Sequence, residues 1–168
     1  LVGGWRALRQ TDNKLILAYG TVSKLGFLMI ANGLGTAAGA QAGLAMLLAH
    51  SLFKAPLFMV VGAIDKITGT RDLTKLSGLR KSHPGLFWTA ILAALSMAGV
   101  PPLFGFIGKE TVMQAATDWA LWRTDGLLLG QPNFWGAAWS WAPLVIVVLG
   151  SILTVAYTAR FMWAAFAT

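Results

Sequence analysis

The stretch Ala49-His50-Ser51-Leu52-Phe53-Lys54-Ala55-Pro56-Leu57 sets an ionisable amine inside an apolar run long enough to cross a bilayer. From Gly43 to Ile64 the only residues able to carry charge are His50 and Lys54, and at helical spacing this i, i+4 pair shares one face. A cation at bilayer depth costs at least roughly 2.5–3.5 kcal/mol on insertion scales, so such a residue normally faces protein or water and has a use. Pro56 has no N–H to offer the carbonyl of Leu52, and its ring pushes that carbonyl away, so a kink or a helix break is expected at this level. A lysine beside loosened backbone in a membrane is the plan of an ion-handling site.

The totals agree with a polytopic membrane protein. The 168 residues are 57% hydrophobic and only 11% charged, against about 25% charged in an ordinary soluble domain. Cysteine is absent, which excludes a disulfide framework or a cysteine-based metal site. The net charge of +7 would suit nucleic acid as a partner, but the basic residues fall mainly in short segments between apolar runs, which is the membrane pattern. The chain starts without methionine or a cleavable secretory signal and is still apolar from Phe161 to Thr168, so it reads as an internal fragment, residues 1–168, of a larger membrane domain.

The pattern predicts an all-α bundle with four spans, near 15–34, 42–64, 85–107 and 134–160, at least one of them discontinuous or kinked. Leu1 to Lys14 is a polar, basic lead-in, and Asp12 or Asn13 is placed to cap the first span. Gly20, Thr21, Ser23 and Gly26 in that span suit close helix contacts. The link from Gly33 to Gly39 contains a formal GxGxxA, but a long apolar helix precedes it and no acidic residue follows until Asp65. A tight interhelical turn therefore outweighs a dinucleotide site.

Residues 65–84 form the longest polar segment, in which Lys66, Arg71, Lys75, Arg80 and Lys81 face only Asp65 and Asp72, marking a cytoplasmic loop. Pro84 is well placed to open the third span. Pro101 and Pro102, with Gly99, Gly105 and Gly108 around them, must break or kink it. Lys109 and Glu110 close that span, and Thr111 to Asn133 follows as an outer segment, so 109–133 is expected to be external. Trp119, Trp122, Trp135, Trp139 and Trp141 suggest an interfacial aromatic belt. The fourth span contains Pro143, and Arg160 is placed to snorkel to the inner surface.

Four groups carry candidate chemistry. Desolvation disfavours the charged form of a buried amine and a carboxylate partner favours it, so Lys54 could load and release a proton as its pairing changes; a purely structural ion pair is the alternative. Lys24, near the middle of the first span, could join the path or simply bond to carbonyls. His50 titrates near neutrality and could relay protons with Lys54 or serve as a strut. His83, at the inner mouth of the third span, could take up protons or be an ordinary loop histidine. The spans contain no acidic residue, so any carboxylate partner must come from another helix or subunit. No nucleophile triad, metal cluster or phosphate loop is present, so neither a self-contained enzyme site nor a cofactor is expected. A structural membrane scaffold remains the reading from a different class.

The segments Leu15-Ile16-Leu17-Ala18-Tyr19-Gly20-Thr21-Val22-Ser23-Lys24-Leu25-Gly26, His50-Ser51-Leu52-Phe53-Lys54-Ala55, Thr68-Gly69-Thr70-Arg71-Asp72-Leu73, Leu76-Ser77-Gly78-Leu79-Arg80-Lys81 and Ser96-Met97-Ala98-Gly99-Val100-Pro101-Pro102-Leu103-Phe104-Gly105-Phe106, with Lys109-Glu110, come in the order of a known family. Over about residues 15–110 the chain resembles the proton-translocating membrane family of antiporter-like complex I subunits and large Mrp-type sodium/proton antiporter subunits. Val60-Val61-Gly62-Ala63-Ile64-Asp65, followed by Thr68 to Asp72, is most similar to the A-type subunits of the Mrp branch.

The resemblance implies a secondary transporter subunit in the plasma membrane of a bacterium, exchanging sodium or another monovalent cation for protons. Its partners would be other antiporter subunits, further helices of the same polypeptide, the lipid bilayer, sodium ions and protons. A proton-pumping subunit of NADH:quinone oxidoreductase is the neighbouring alternative. The resemblance also implies that Lys54 lies on a discontinuous helix and works with a glutamate on an earlier helix. Glutamine is usual in the family at the position of Lys24, and alanine or leucine at that of Pro56, so neither residue inherits a role.

Overall fold

The computed structural model describes residues 1–73, 76, 78–130 and 134–166; Lys75, Ser77, Asn133 and Thr168, quoted above, lie outside the described residues. Among the described residues the regular elements are helices: α1 (Val2–Arg9), α2 (Asn13–Gly33), α3 (Ala37–Thr68), α4 (Leu79–Ser82), α5 (Pro84–Ala98), α6 (Phe104–Gly130), α7 (Phe134–Ser140) and α8 (Ala142–Phe166). Three of them, α2, α3 and α8, are long and apolar enough to cross a membrane, and α5 is a shorter apolar helix.

Local chemistry sets the helix ends. The Asp12 carboxylate accepts the backbone N–H groups of Lys14 and Leu15 at 2.7 and 3.2 Å, making it the cap of α2. Thr36 caps α3 by accepting the Gly39 N–H at 3.0 Å, and Gly69, at φ 67°, ends it in the left-handed conformation that glycine adopts without a Cβ penalty. Pro84 opens α5, where its missing N–H costs nothing.

Close approaches fix the helix directions. A Cβ at Gly20 would stand 3.1 Å from the Tyr157 ring and one at Gly150 would stand 2.8 Å from Phe27, so α2 and α8 run antiparallel. The α2–α3 turn is equally tight, with Gly43 against the Asn32 side chain. Along α3, Gly108 of α6 sits against Ala49 and Met46, while Phe53 and Pro56 share a cavity of about 320 Å³ with Thr89, Ala93 and Ser96 of α5. Helices α5 and α6 thus lie end to end beside α3, as one pass broken at residues 99–103. The 15 residues of α5 reach only about 22 Å at 1.5 Å per residue, so the first turns of α6 are needed to complete a crossing.

Several sequence expectations change. Pro56 was expected to kink or break the second span; the helix does not break there, and α3 is helical from Ala37 to Thr68 through it. Phe53, Leu57, Val60 and Val61 are buried on either side of the proline, and this packing supports the turns through which the helix continues. The supposed outer loop 109–133 is largely the helix α6. Its polar residues hide an apolar stripe in which Val112, Ala115, Ala116 and Ala120 are buried at three- and four-residue spacing.

The span placed at 134–160 is two helices, with the long one starting at Ala142, because Pro143 suits the first turn of a new helix. The lead-in also contains a helix: α1 lays Gly3 and Gly4 against Ser23 and Leu153, where side chains would collide. With α3 reaching Thr68 and α6 reaching Gly130, Asp65, Glu110 and Asp118 stand on long helices after all.

The polar segment after α3 folds back on the start of α2. Asn13 donates its N–H to the Arg71 carbonyl at 3.0 Å and Leu73 donates to that of Thr11 at 2.9 Å. Leu73, Leu76 and Leu79 then enter the core formed by Ile16, Leu57, Ile64, Ala90 and Phe161. Arg71 pairs with Asp65 at 2.7 Å, and this carboxylate raises the pKa of the exposed guanidinium above its ordinary value.

Candidate proton path

Three lysines from three different helices are buried in the bundle: Lys24 on α2, Lys54 on α3 and Lys109 on α6. Lys54 donates to the Leu17 carbonyl at 2.6 Å, and the Thr21 hydroxyl donates to the same oxygen at 3.0 Å. A backbone carbonyl of α2 therefore serves two side chains beyond its helical role. The amine lies 5.5 Å from the centre of the Phe58 ring, whose face attracts a cation. His50, one turn earlier on α3, packs its ring edge-on to Phe53 at 5.4 Å and leaves its buried Nδ1 without a protein partner.

Lys109 is the member that the sequence reading passed over. It donates to the Ala98 carbonyl, at the open C-terminal end of α5, where unpaired carbonyls and the helix dipole favour a cation. The break shapes this pocket: Gly99 has φ 87°, and a Cβ there would stand 2.8 Å from the Lys109 side chain. On the other side of the break, the Gly105 N–H bonds to the Ser96 hydroxyl at 3.2 Å. A cavity of about 270 Å³ beside Lys109 is lined also by Gly99, Glu110 and Ser151. Glu110 turns outward, is exposed, and accepts from Gln114 at 3.2 Å. The signal available in the sequence was a lysine eight residues after the first proline of a pair, read there as the end of a span.

Lys24 is completely buried and has no hydrogen-bond partner; its amine sits 4.7 Å from the centre of the Phe27 ring. None of the described carboxylates pairs with Lys24, Lys54 or Lys109. His83 stands at the α4–α5 junction, at the opposite end of α5 from the Lys109 contact, so the structure does not bring it to the lysines. Pro56 lines the cavity between α3 and α5 rather than a helix break, whereas Pro101 and Pro102 occupy the real one. Among the described residues no cluster of histidine, cysteine and carboxylate could hold a metal ion.

Residues 1–131 match the family described as NADH:quinone oxidoreductase/Mrp antiporter, TM. The chain belongs to this family. It is similar to the A1 subunit of a Na(+)/H(+) antiporter from Staphylococcus haemolyticus (strain JCSC1435), 36% identical over 172 residues that cover 93% of this chain and 20% of that protein. Among solved structures it resembles a chain of the Mrp complex from Dietzia sp. DQ12-45-1b, with a TM-score of 0.84 and 32% identity over 100% of this chain and 28% of that one. It also resembles a chain of respiratory complex I from Thermus thermophilus, with a TM-score of 0.77 and 29% identity over 98% of this chain and 31% of that one. The chain thus spans about a fifth to a third of the length of these relatives.

Proposed function

We propose that this chain forms part of a cation/proton antiporter subunit that exchanges cytoplasmic sodium, or another monovalent cation, for external protons along a path built on buried lysines. In this reading the protein is a transporter rather than a classical enzyme. The observation that carries it is the set of three buried amines on three helices without a carboxylate among the described residues to neutralise them. Such groups are costly in a bilayer and are retained where ions move.

Lys54 is the central member, His50 stands beside it, Lys24 is a further candidate, and Lys109 lies at the break in the third pass. His83 is at most a peripheral uptake group. Burial disfavours charge on a lysine and a neighbouring carboxylate favours it, so the pairing of Lys54 with an acid elsewhere in the complex would load and release its proton.

The antiporter name of the relative and the higher TM-score with the Mrp complex support the antiporter branch over a complex I subunit. Other antiporter subunits are the implied partners. A bacterial plasma membrane is the implied location, with loop 65–84 cytoplasmic and 109–133 external. The test is the Lys54→Ala variant of the full-length protein in everted vesicles, followed by a pH dye after sodium is added. Loss of the sodium-dependent pH change supports the path; unchanged exchange favours a structural scaffold.

A further inference from the structure

Helices α5 and α8 leave between them an open groove of about 510 Å³, on whose walls Leu95, Val155 and Trp163 are exposed. On α5 it runs from Phe87 to Ala98, and on α8 from Phe166 back to Val155. Eleven residues separate the two ends on each helix, which is about 16 Å at about 1.5 Å per residue. The hydrocarbon of one leaflet is about 15 Å deep, half of a core of about 30 Å. The groove is therefore one leaflet deep, and Val100, at the break between α5 and α6, lies at its inner end.

The two ends differ in chemistry. Along its length the groove is apolar apart from Thr158, whose hydroxyl proton is already used on the Thr154 carbonyl at 2.6 Å. At the outer end the Phe87 and Phe166 rings meet edge-on at 5.5 Å, and the Arg80 guanidinium lies 5.0 Å from the centre of the Phe87 ring. Arg80 is exposed, and no described carboxylate pairs with it. Lys81, next in the chain, is exposed as well. Trp163, 77% exposed on the same end of the groove, is the residue type that sits at headgroup level.

A ligand matching this shape has an apolar tail as long as one leaflet and an anion at the end of the tail that meets water. A protein helix crossing the whole membrane has no reason to meet a groove confined to one leaflet. The planar fork of arginine suits a phosphate, which it can hold through two parallel hydrogen bonds. Basic pockets between spanning helices are a recurrent means of holding anionic headgroups.

We propose that the α5–α8 groove is a binding site for an anionic phospholipid, with one acyl chain lying between the helices and the phosphate on Arg80. Lys81 adds positive charge at the headgroup and favours a lipid of net negative charge over a zwitterionic one. Ala98 and Val155 line both this groove and the cavity beside Lys109, so the acyl chain reaches the wall of that cavity.

The test uses the full-length protein in its assembled complex, with a photoreactive benzophenone amino acid in place of Val155, in vesicles of equal parts phosphatidylglycerol and phosphatidylcholine. After irradiation, mass spectrometry identifies what the side chain has captured. A phospholipid adduct is expected, with phosphatidylglycerol favoured about fivefold, the effect of one basic residue near an anionic headgroup. Arg80→Gln should bring that ratio close to one. Ala159→Phe, which fills the groove from an exposed position, should abolish the adduct.

A peptide adduct at Val155 means that a protein segment occupies the groove, and it overturns the proposal. So do equal yields of the two lipids in the otherwise unaltered complex, a phosphatidylglycerol preference that survives Arg80→Gln, or an undiminished adduct in Ala159→Phe. If Arg80→Gln does not assemble, salt decides the headgroup contact: at about 1 M, where charges are screened within about 3 Å, the preference should fall, and an unchanged ratio overturns the assignment.

Discussion

Pro56 in α3 and the segment 99–103 between α5 and α6 both put proline beside a buried lysine, yet one helix continues and the other breaks. At Pro56 a single missing N–H is flanked by turns whose inward residues Phe53, Leu57 and Val60 are buried, and the helix continues through the loss. At 99–103, Gly99 has already left the helical conformation, two prolines follow, and the Ser96 hydroxyl bonds across to the Gly105 N–H. The amine of Lys109 takes the Ala98 carbonyl freed at the end of α5. The comparison teaches that a membrane helix breaks where the exposed backbone groups gain new partners, and that proline alone is insufficient.

The largest expected effect removes the amine beside the unbroken proline. Lys54→Ala should lower antiport at least about a hundredfold, the lower end of what a positioned proton-transfer group contributes, measured as the sodium-dependent pH change in everted vesicles. Activity close to wild type would leave the α3 lysine without a transport role.

Next comes the broken site. Gly99→Val forces a branched side chain into positive φ and drives a Cβ to 2.8 Å from Lys109, so it should destabilise the protein by about 1–3 kcal/mol. Its flux should also fall roughly tenfold, since small misplacements of a reacting group are costly. Thermal denaturation of the purified complex and the vesicle assay read these two effects separately. A stable, fully active Gly99→Val would mean that the break does not hold Lys109 in place.

Pro56→Ala should do much less. It restores an N–H to an already continuous helix, so stability should rise by up to about 1 kcal/mol and flux should stay within about twofold. A large loss of flux would show that the freed Leu52 carbonyl is used, making the two proline sites alike after all.

Smallest of all is Arg71→Ala, which removes an exposed ion pair with Asp65 and should change flux by less than about twofold. Because the carboxylate raises the guanidinium pKa, whatever this pair contributes is present below the ordinary arginine pKa and lost only above the raised one. A wild-type minus variant difference in denaturation temperature should therefore stay flat between about pH 6 and 9, well below the titration range of arginine.

The apolar runs behind α2 and α3 were legible because hydrocarbon length and the absence of charge are linear properties of a chain. The start of α5 was legible for a similarly local reason, since Pro84 marks it. Lys54 and His50 stood out because two ionisable groups interrupt one long apolar run. Lys109 did not, because Glu110, Thr111, Gln114 and Asp118 follow it and lower the local hydropathy to that of a loop. Only packing against Ala42, Met46 and Phe27 reveals the buried stripe of α6 beneath those polar residues. Helix α1 escaped notice for a related reason: two glycines look like flexibility in sequence and act as a contact face in the fold.

By itself the sequence determined a helical membrane protein, the order of its main apolar segments and the presence of amines at bilayer depth, because each follows from residue type and spacing along one chain. The tertiary structure alone decided that the helix continues through Pro56, that α6 runs on to Gly130 where a loop was expected, and that Lys24, Lys54 and Lys109 enter one bundle. Those outcomes depend on which backbone carbonyls find donors and which charges come within reach of each other, and both are relations between segments far apart in sequence.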